Sequence, residues 1–324
     1  MKDPEIHITE GTQSCVYPEA AGLAAPEEHP DARIHLTDSG SDPHSHAALW
    51  WRDAPVHEGG RIGAIGGFCA RDAASAKRLL EAATTRLSAA GCRIAVGPMN
   101  GNTWRRHRFV TWSNGRGPFL LEPRNPEAWP EWWQLAGFHE LSRYSSSIIR
   151  LDGRPTVSPA LHARLERSGL AIRSLNASRY DDELRAIHAV CLRSFRSNFL
   201  YTPLDEHSFL TAYGKVRGHV DADLVRIAER DGVPCGFVFC IRDIEAEARG
   251  ETPALIVKTL AVDPGSRSAG LGSLLVDEAH RIGYEKGHTE AIHALQHESN
   301  TSLKITGRHH GGVFRRYTLF HKLL

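Results

Sequence analysis

Between Ala254 and Ile282 the chain reads ALIVKTLAVDPGSRSAGLGSLLVDEAHRI. The run Ala254–Val262 is apolar apart from Lys258 and Thr259, and it predicts a strand closed by Pro264. Apolar residues at 271, 274, 275, 279 and 282 then recur on one helical face. An ordinary turn from strand to helix does not need two glycines and an arginine within six residues, yet Arg267–Gly272 supplies them. At a helix start the first N–H groups lack intrahelical partners and the macrodipole is positive. Glycine lets a ligand approach that backbone without a Cβ in the way. The segment therefore predicts a seat for a pyrophosphate, with Arg267 as an added positive charge. The plainer reading is that the glycines serve only close packing of helix on strand.

At 324 residues the chain is long for one domain, so two domains are expected. All seven tryptophans lie in the first 133 residues, which predicts two separately composed cores. The join is placed in RLDGRPTVSPA (Arg150–Ala160), giving domains at 1–152 and 160–324. A formal charge of +1 gives no general electrostatic grip on nucleic acid or anionic lipid. No apolar run approaches the roughly 18 residues that span a bilayer. The opening MKDPEIHITEGTQSC does not read as a signal peptide, so a cytoplasmic location is the expectation. The six cysteines are scattered without a C-x-x-C pair, which argues against a disulfide framework or a zinc site. His44 with His46, and His309 with His310, lack companion ligands at metal spacing and read as solvated loops. No metal is expected.

The second half predicts a strand at 169–176, helices at 181–195 and 205–216, and a β-hairpin turning at Asp231–Gly232. The strand and helix described above follow, then a strand at 289–295, a short helix from Asn300 and a closing strand FRRYTLFHKLL. The stretch LAVDPGSRSAGLGSLLVDEA resembles the acyl-CoA-binding motif of the GNAT superfamily of N-acyltransferases, R/Q-x-x-G-x-G/A after a strand ending V-x-P. Arg267, Gly270 and Gly272 complete the motif, preceded by Val262 and Pro264. NTSLKI is similar to the family's N-x-x-S helix start, and the resemblance covers about Arg167 to Leu324.

The resemblance implies an α/β (α+β) fold with a mixed, mostly antiparallel sheet flanked by helices. It also implies acetyl-CoA or another acyl-CoA as co-substrate. Main-chain groups of Leu260, Ala261 and Val262 would pair with the pantetheine arm. The backbone of Arg267, Ser268, Ala269, Gly270, Leu271, Gly272 and Ser273 would hold the pyrophosphate, and Asn300 would contact the cofactor. The chemistry implied is direct attack of an amine on the thioester. The catalytic acid and base are harder to place. Lys258 is the ionisable residue of its strand, and a lysine with its ordinary pKa of about 10 is a poor base at neutral pH unless burial lowers that pKa. It reads as structural or as a substrate-facing charge. The family's tyrosine acid is absent near Thr306 and Gly307, and Tyr317 on the last strand reads as packing. His293 and Glu298, with His297 between them, are the catalytic candidates, His293 facing either the cleft or a helix.

The first half carries a fainter copy of the plan. GRIGAIGGFCA predicts a strand, and Asp72 caps a helix whose face is Ala76, Leu79, Leu80, Ala83 and Leu87. CRIAVGPMN predicts the next strand, and WPEWWQLAGFHELSRYSSSIIRL a helix followed by strands. FCARDAASAKRLL has no R/Q-x-x-G-x-G, so this GNAT-like copy is expected to be degenerate. VGPMNGNTWRRHR, with NPEAWPEWW, is a candidate acceptor wall between the halves, or its tryptophans fill a core. The run Arg105, Arg106, His107, Arg108 is a solvated face or attracts an anionic substrate. The function expected is N-acyl transfer to a primary amine of a small molecule or peptide. The alternative is a non-catalytic acyl-CoA sensor. No nucleic-acid or membrane partner is expected, and oligomeric state is left open.

Overall fold

Asp231 and Gly232 both take positive φ, 51° and 78°, so the Asp-Gly pair forms the tight turn its sequence predicts. The same agreement between local chemistry and structure runs through most of the computed structural model, which describes residues 5–10, 29–38, 44–154, 156–215, 217–266 and 269–324. The first half holds β1 (Glu5–Glu10), β2 (Ala32–Thr37), β3 (Ser45–Trp50), β4 (Val56–His57), β5 (Gly60–Cys69) and α1 (Ala73–Ala89). β6 (Ile94–Gly97), β7 (Phe109–Ser113), α2 (Trp129–Leu135) and β8 (His139–Arg150) complete it. The second half begins with α3 (Pro159–Arg167), β9 (Leu170–Ser174), α4 (Tyr180–Ser194), α5 (Glu206–Gly214), β10 (Val225–Arg230) and β11 (Val233–Arg242). α6 (Ile244–Ala248), β12 (Leu255–Val262), α7 (Leu271–Glu285), β13 (Glu290–His297), α8 (Ser302–Arg308) and β14 (Gly312–Leu323) follow.

One mixed, mostly antiparallel sheet runs through both halves in the order β1-β2-β3-β5-β6-β14-β8-β13-β12-β11-β10-β9, with β4 on β5 and β7 on β14. The halves repeat one design. In the first, β5 and β6 are parallel through Ile62↔Ile94, Gly63↔Ala95 and Ala64↔Val96. In the second, β12 and β13 are parallel through Leu255↔Ala291, Ile256↔Ile292 and Val257↔His293. Each half then takes its next strand from the other: β14 lies against β6, and β8 lies against β13. β8 and β14 pair with each other at the centre. The stretch Arg150–Ala160, where the sequence places the join, runs from the end of β8 into the start of α3, and the two halves share one sheet.

The largest cluster of each half is built mainly from that half, but two further clusters mix them: Trp50 and Ile62 pack with Leu200 and Tyr317, and Phe119 packs with Ile256 and Phe314. α1 and α2 cover the first half, where Trp133 is fully buried and its ring lies 4.7 Å from Phe138. α7 covers the second half through Leu271, Leu274, Leu275, Ala279 and Ile282. Trp104 departs from this division: it packs against Phe195, Tyr201 and Phe209 of the second half and donates through Nε1 to the Thr202 carbonyl at 2.8 Å. Ser158 and Pro159 start α3, an element the linker-like composition of that stretch conceals. Two histidine readings are corrected. His46 is buried on β3, and His309 packs against Asp277 with the two side chains 6% and 4% exposed; neither lies in a solvated loop. Among the described residues no helix is long and apolar enough to cross a membrane.

Candidate active site

β12 and β13 pair for only three residues, and from Lys258 onward the strands diverge. β13 bends away there: its register against β8 shifts between His293 and Gln296, and Leu295 takes φ +57°. Parting two parallel strands leaves main-chain N–H and C=O groups of Lys258–Val262 facing a gap rather than a ladder partner. The gap is a cleft of about 160 Å³ lined by Lys258, Thr259 and Leu260 on one side, Ala294, Leu295 and Gln296 on the other. Phe195, Asn300, Ser302 and Ile305 contribute further wall.

The pyrophosphate seat expected from sequence lies where this cleft meets α7. Gly270 is the N-cap with φ +94°, no side chain caps the helix, and its first turn carries no acidic residue. The leading N–H groups are thus left available to an anion. A Cβ on Gly272 would meet Ile305, Leu260 and Val262 at 3.5–3.7 Å, so Gly272 borders the cleft itself. Arg164 on α3 donates to the Ala269 carbonyl at 2.9 Å, and Arg308 donates to Ser273 Oγ at 2.6 Å. These two arginines place positive charge at the seat, and the sequence reading had not included them. Arg267 and Ser268 lie outside the described residues. Asn300 stands at the cleft mouth, its Oδ1 accepting from Ser302 N at 2.9 Å.

The equivalent gap in the first half is closed. Met99 N donates to Ile65 O at 2.7 Å, and Gly67 N donates to Asn100 Oδ1 at 2.9 Å. A Cβ on Gly66 would fall 2.3 Å from Asn100 Oδ1 and 2.5 Å from Met99 O, so Met99 and Asn100 fill the space beside Gly66 of β5. Asp72 caps α1, accepting from Ser75 N at 2.8 Å, and this bond holds its carboxyl below the usual range. A carboxylate on the helix start both consumes the free donor and repels phosphate.

The catalytic candidates fare differently. His293 is also a lining residue of the cleft, but its ring nitrogens are engaged, with Nε2 at 3.1 Å from His280 Nε2 on α7 and Nδ1 at 2.8 Å from Thr306 Oγ1. Burial, with the nearby His309, lowers its pKa to about 3, which leaves it with little basicity at neutral pH. Glu298 is exposed, and its carboxylate accepts from Arg143 N at 3.1 Å. The two candidates are not brought together. His297 is held between Ser142, at 2.7 Å from Nε2, and Ser299, while its ring stacks on Phe199 at 5.2 Å. Tyr317 is fully buried, donating to Glu122 Oε1 at 2.5 Å, and packs as expected.

Lys258 is the wall residue whose basicity the fold moves into the working range. Burial, together with the charge of Arg108, lowers its pKa to about 8. Arg108 comes from the first half, and its guanidinium lies 4.2 Å over the Tyr144 ring. Its Nη1 points to the carbonyl oxygen of Leu295, a wall residue of the cleft, at 3.4 Å. Burial likewise lowers Arg108, to about 10. The sequence carried both residues, but nothing in it signals that the charge of one acts on the other.

Residues 184–304 match the family model of the acetyltransferase (GNAT) family. Protein YghO of Escherichia coli is 30% identical over 169 residues, covering 51% of this chain and 43% of that protein. A bacterial ceramide synthase of Caulobacter vibrioides is 26% identical over 172 residues, covering 51% of this chain and 44% of its own. The chain thus spans less than half the length of these curated relatives. A GCN5-related N-acetyltransferase from Sphaerobacter thermophilus superposes with a TM-score of 0.53 at 14% identity, over 90% of this chain and 80% of its own. A tandem GNAT protein from the clavulanic acid biosynthesis pathway gives a TM-score of 0.51 at 12% identity, over 90% and 82%. At such identities the likeness is one of fold.

Proposed function

From a chain whose residues 184–304 form a domain of the acetyltransferase (GNAT) family, we propose an N-acyltransferase that moves an acyl group from acyl-CoA to a primary amine. The observation that carries the reading is the contrast between the two gaps: open with an uncapped helix start in the second half, plugged and acid-capped in the first. The main chain of Ala269–Ser273, with Arg267 and Ser268, holds the pyrophosphate. The free edge of Leu260–Val262 and the Asn300 side chain hold the pantetheine arm. Acyl-CoA supplies the activated thioester. The amine nitrogen attacks the thioester carbon, and the C–S bond breaks to release coenzyme A as the thiol. Main-chain N–H groups on the open edge of β12 stabilise the developing oxyanion. Neutral Lys258 Nζ takes the proton the amine loses and can return one to the leaving sulfur. One relative is named a ceramide synthase, and a ceramide is an N-acylated amine, which supports including long acyl chains among the donors.

The test is thiol release with acetyl-CoA and palmitoyl-CoA across a panel of amines, amino acids, aminoglycosides and peptides. Turnover on at least one amine is expected, with kcat/KM rising through pH 8 as Lys258 loses its proton. A folded protein that no acyl-CoA stabilises against heat would overturn the proposal. A second reading, an acyl-CoA sensor without turnover, draws on the buried, neutral state of His293 and the exposed position of Glu298. Thermal stabilisation by acyl-CoA with no turnover on any amine would favour it.

A further inference from the structure

The run Arg105-Arg106-His107-Arg108 reads from sequence as a basic stretch, but the structure divides it. Arg106 stays exposed, whereas His107 is buried and Arg108 is folded over Tyr144. Arg108 reaches that place through a main-chain φ of +67°, a left-handed conformation that non-glycine residues seldom adopt and that tends to persist at functional sites. Its guanidinium offers five N–H donors. One is directed at Leu295 O at a long 3.4 Å, and Nε is buried without a hydrogen-bond partner. No ion pair joins Arg108 or Lys258 to a carboxylate among the described residues, although the two cations feel each other's field. Buried charges in folded proteins are normally paired. Two neighbouring cations without an acid form an unfilled half of an ion pair.

The position of this pair separates it from the donor's phosphates. Lys258 lies four residues before Val262 along β12, roughly 13 Å at about 3.3 Å per residue. The seat at Gly270–Ser273 begins beyond Val262, so Lys258 lines the cleft at the end away from it, and Arg108 reaches the cleft wall there through Leu295 O. We propose that the acceptor is an amine carrying a carboxylate in the same small molecule, that Arg108 binds this carboxylate, and that Lys258 stands beside the amine. The planar fork of an arginine matches a carboxylate with two parallel hydrogen bonds. An α-amino acid holds its amine one carbon from its carboxylate, so fixing the anion on Arg108 fixes the nucleophile next to the lysine. This inference rests on the N-acyltransferase reading and narrows it.

The experiment compares acceptors that differ only in the anion: each of the twenty amino acids against its α-carboxamide, and 2-aminoethyl phosphate against ethanolamine. Donor is held saturating and kcat/KM is read by thiol release. At least one amino acid should exceed its amide tenfold or more, with the difference carried by KM. Arg108→Met should erase that preference and Arg108→Lys should keep part of it. An unchanged shift in melting temperature on adding coenzyme A certifies that each variant is folded. A preference for the phosphate pair alone would overturn the carboxylate assignment. Equal use of acids and amides, or a preference that survives Arg108→Met, would overturn the anion site while leaving the N-acyltransferase reading standing. Should no amine release thiol, binding decides. N-acetyl amino acids that stabilise the coenzyme A-loaded wild type and not Arg108→Met support the anion site, and failure to stabilise either overturns it.

Discussion

Replacing Lys258 by methionine should make the protein more stable at neutral pH while impairing the reaction. The lysine sits half-buried on β12, paired with no acid among the described residues, and burial lowers its pKa from 10.5 to about 8. At about 1.4 kcal/mol for each tenfold change in proton affinity, this corresponds to roughly 3 kcal/mol of destabilisation when the group is charged. Residual solvent contact screens part of that, so a gain of about 1–3 kcal/mol is expected for Lys258→Met at pH 7. The pH dependence follows from the direction of the displacement. Below pH 8 folded and unfolded chains both hold the proton and the full penalty is present. Between pH 8 and 10.5 the unfolded chain binds more protons than the folded one, so wild-type stability rises with pH. The advantage of the methionine variant should therefore shrink across that window and vanish above it. Urea unfolding at pH 7, 9 and 10.5 reads this directly. A methionine variant that is less stable at pH 7, or whose advantage is constant with pH, would refute burial as the origin of the perturbed lysine.

Further outcomes follow from named contacts. Gly270→Ala should lose about 1–2 kcal/mol, because φ is +94° and the new Cβ would lie 2.7 Å from Leu161 Cδ2. Gly272→Ala, with contacts of 3.5–3.7 Å, should hold or raise the melting temperature, which differential scanning fluorimetry distinguishes. Asn100→Ala should cost about 1–3 kcal/mol by stranding the Gly67 N–H. Because the Met99 main chain still fills the first-half gap, calorimetric titration should continue to find one coenzyme A per chain. His293 has its pKa lowered from 6.5 to about 3, so stability should fall as pH drops through that interval, by about 1.4 kcal/mol per pH unit and proton. His293→Gln should flatten that acid limb in pH-dependent urea unfolding and leave the pH profile of turnover in place.

The strand, turn and helix of the second half were legible in the sequence because their determinants are local. Two glycines, a proline and a helical stripe sit within thirty residues, and Asp231–Gly232 dictates its turn from two residues alone. Asp72 as a cap could likewise be read from one acid before an apolar periodicity. What failed to show was settled at long range. FRRYTLFHKLL reads as a strand, but its alternation does not say that Phe320 will lie opposite Gly97. GRHHGG reads as a solvated loop because no companion ligand lies near it in sequence, yet Asp277 on α7 draws His309 inward. Lys258 drew notice as an odd residue on its strand, whereas Arg108 acquires meaning only when a left-handed backbone turns it toward β13. The helix α3 did leave a trace, Ser158 followed by Pro159, that the surrounding glycine and prolines obscured.

The exchange of β8 and β14 also governs the order in which the molecule can be made. On the ribosome, the first half emerges with the edge of β6 open, and its closing neighbour is translated more than two hundred residues later. The second half, by contrast, finds β8 already synthesised when β13 appears. β14 is translated after every other described strand and pairs with β6 on one edge and β8 on the other, so the seam between the halves stays open until it docks. Fragments 1–152 and 160–324 would each lack a central strand the other carries, so they belong in one vessel: co-expressed, they can complement each other through that seam.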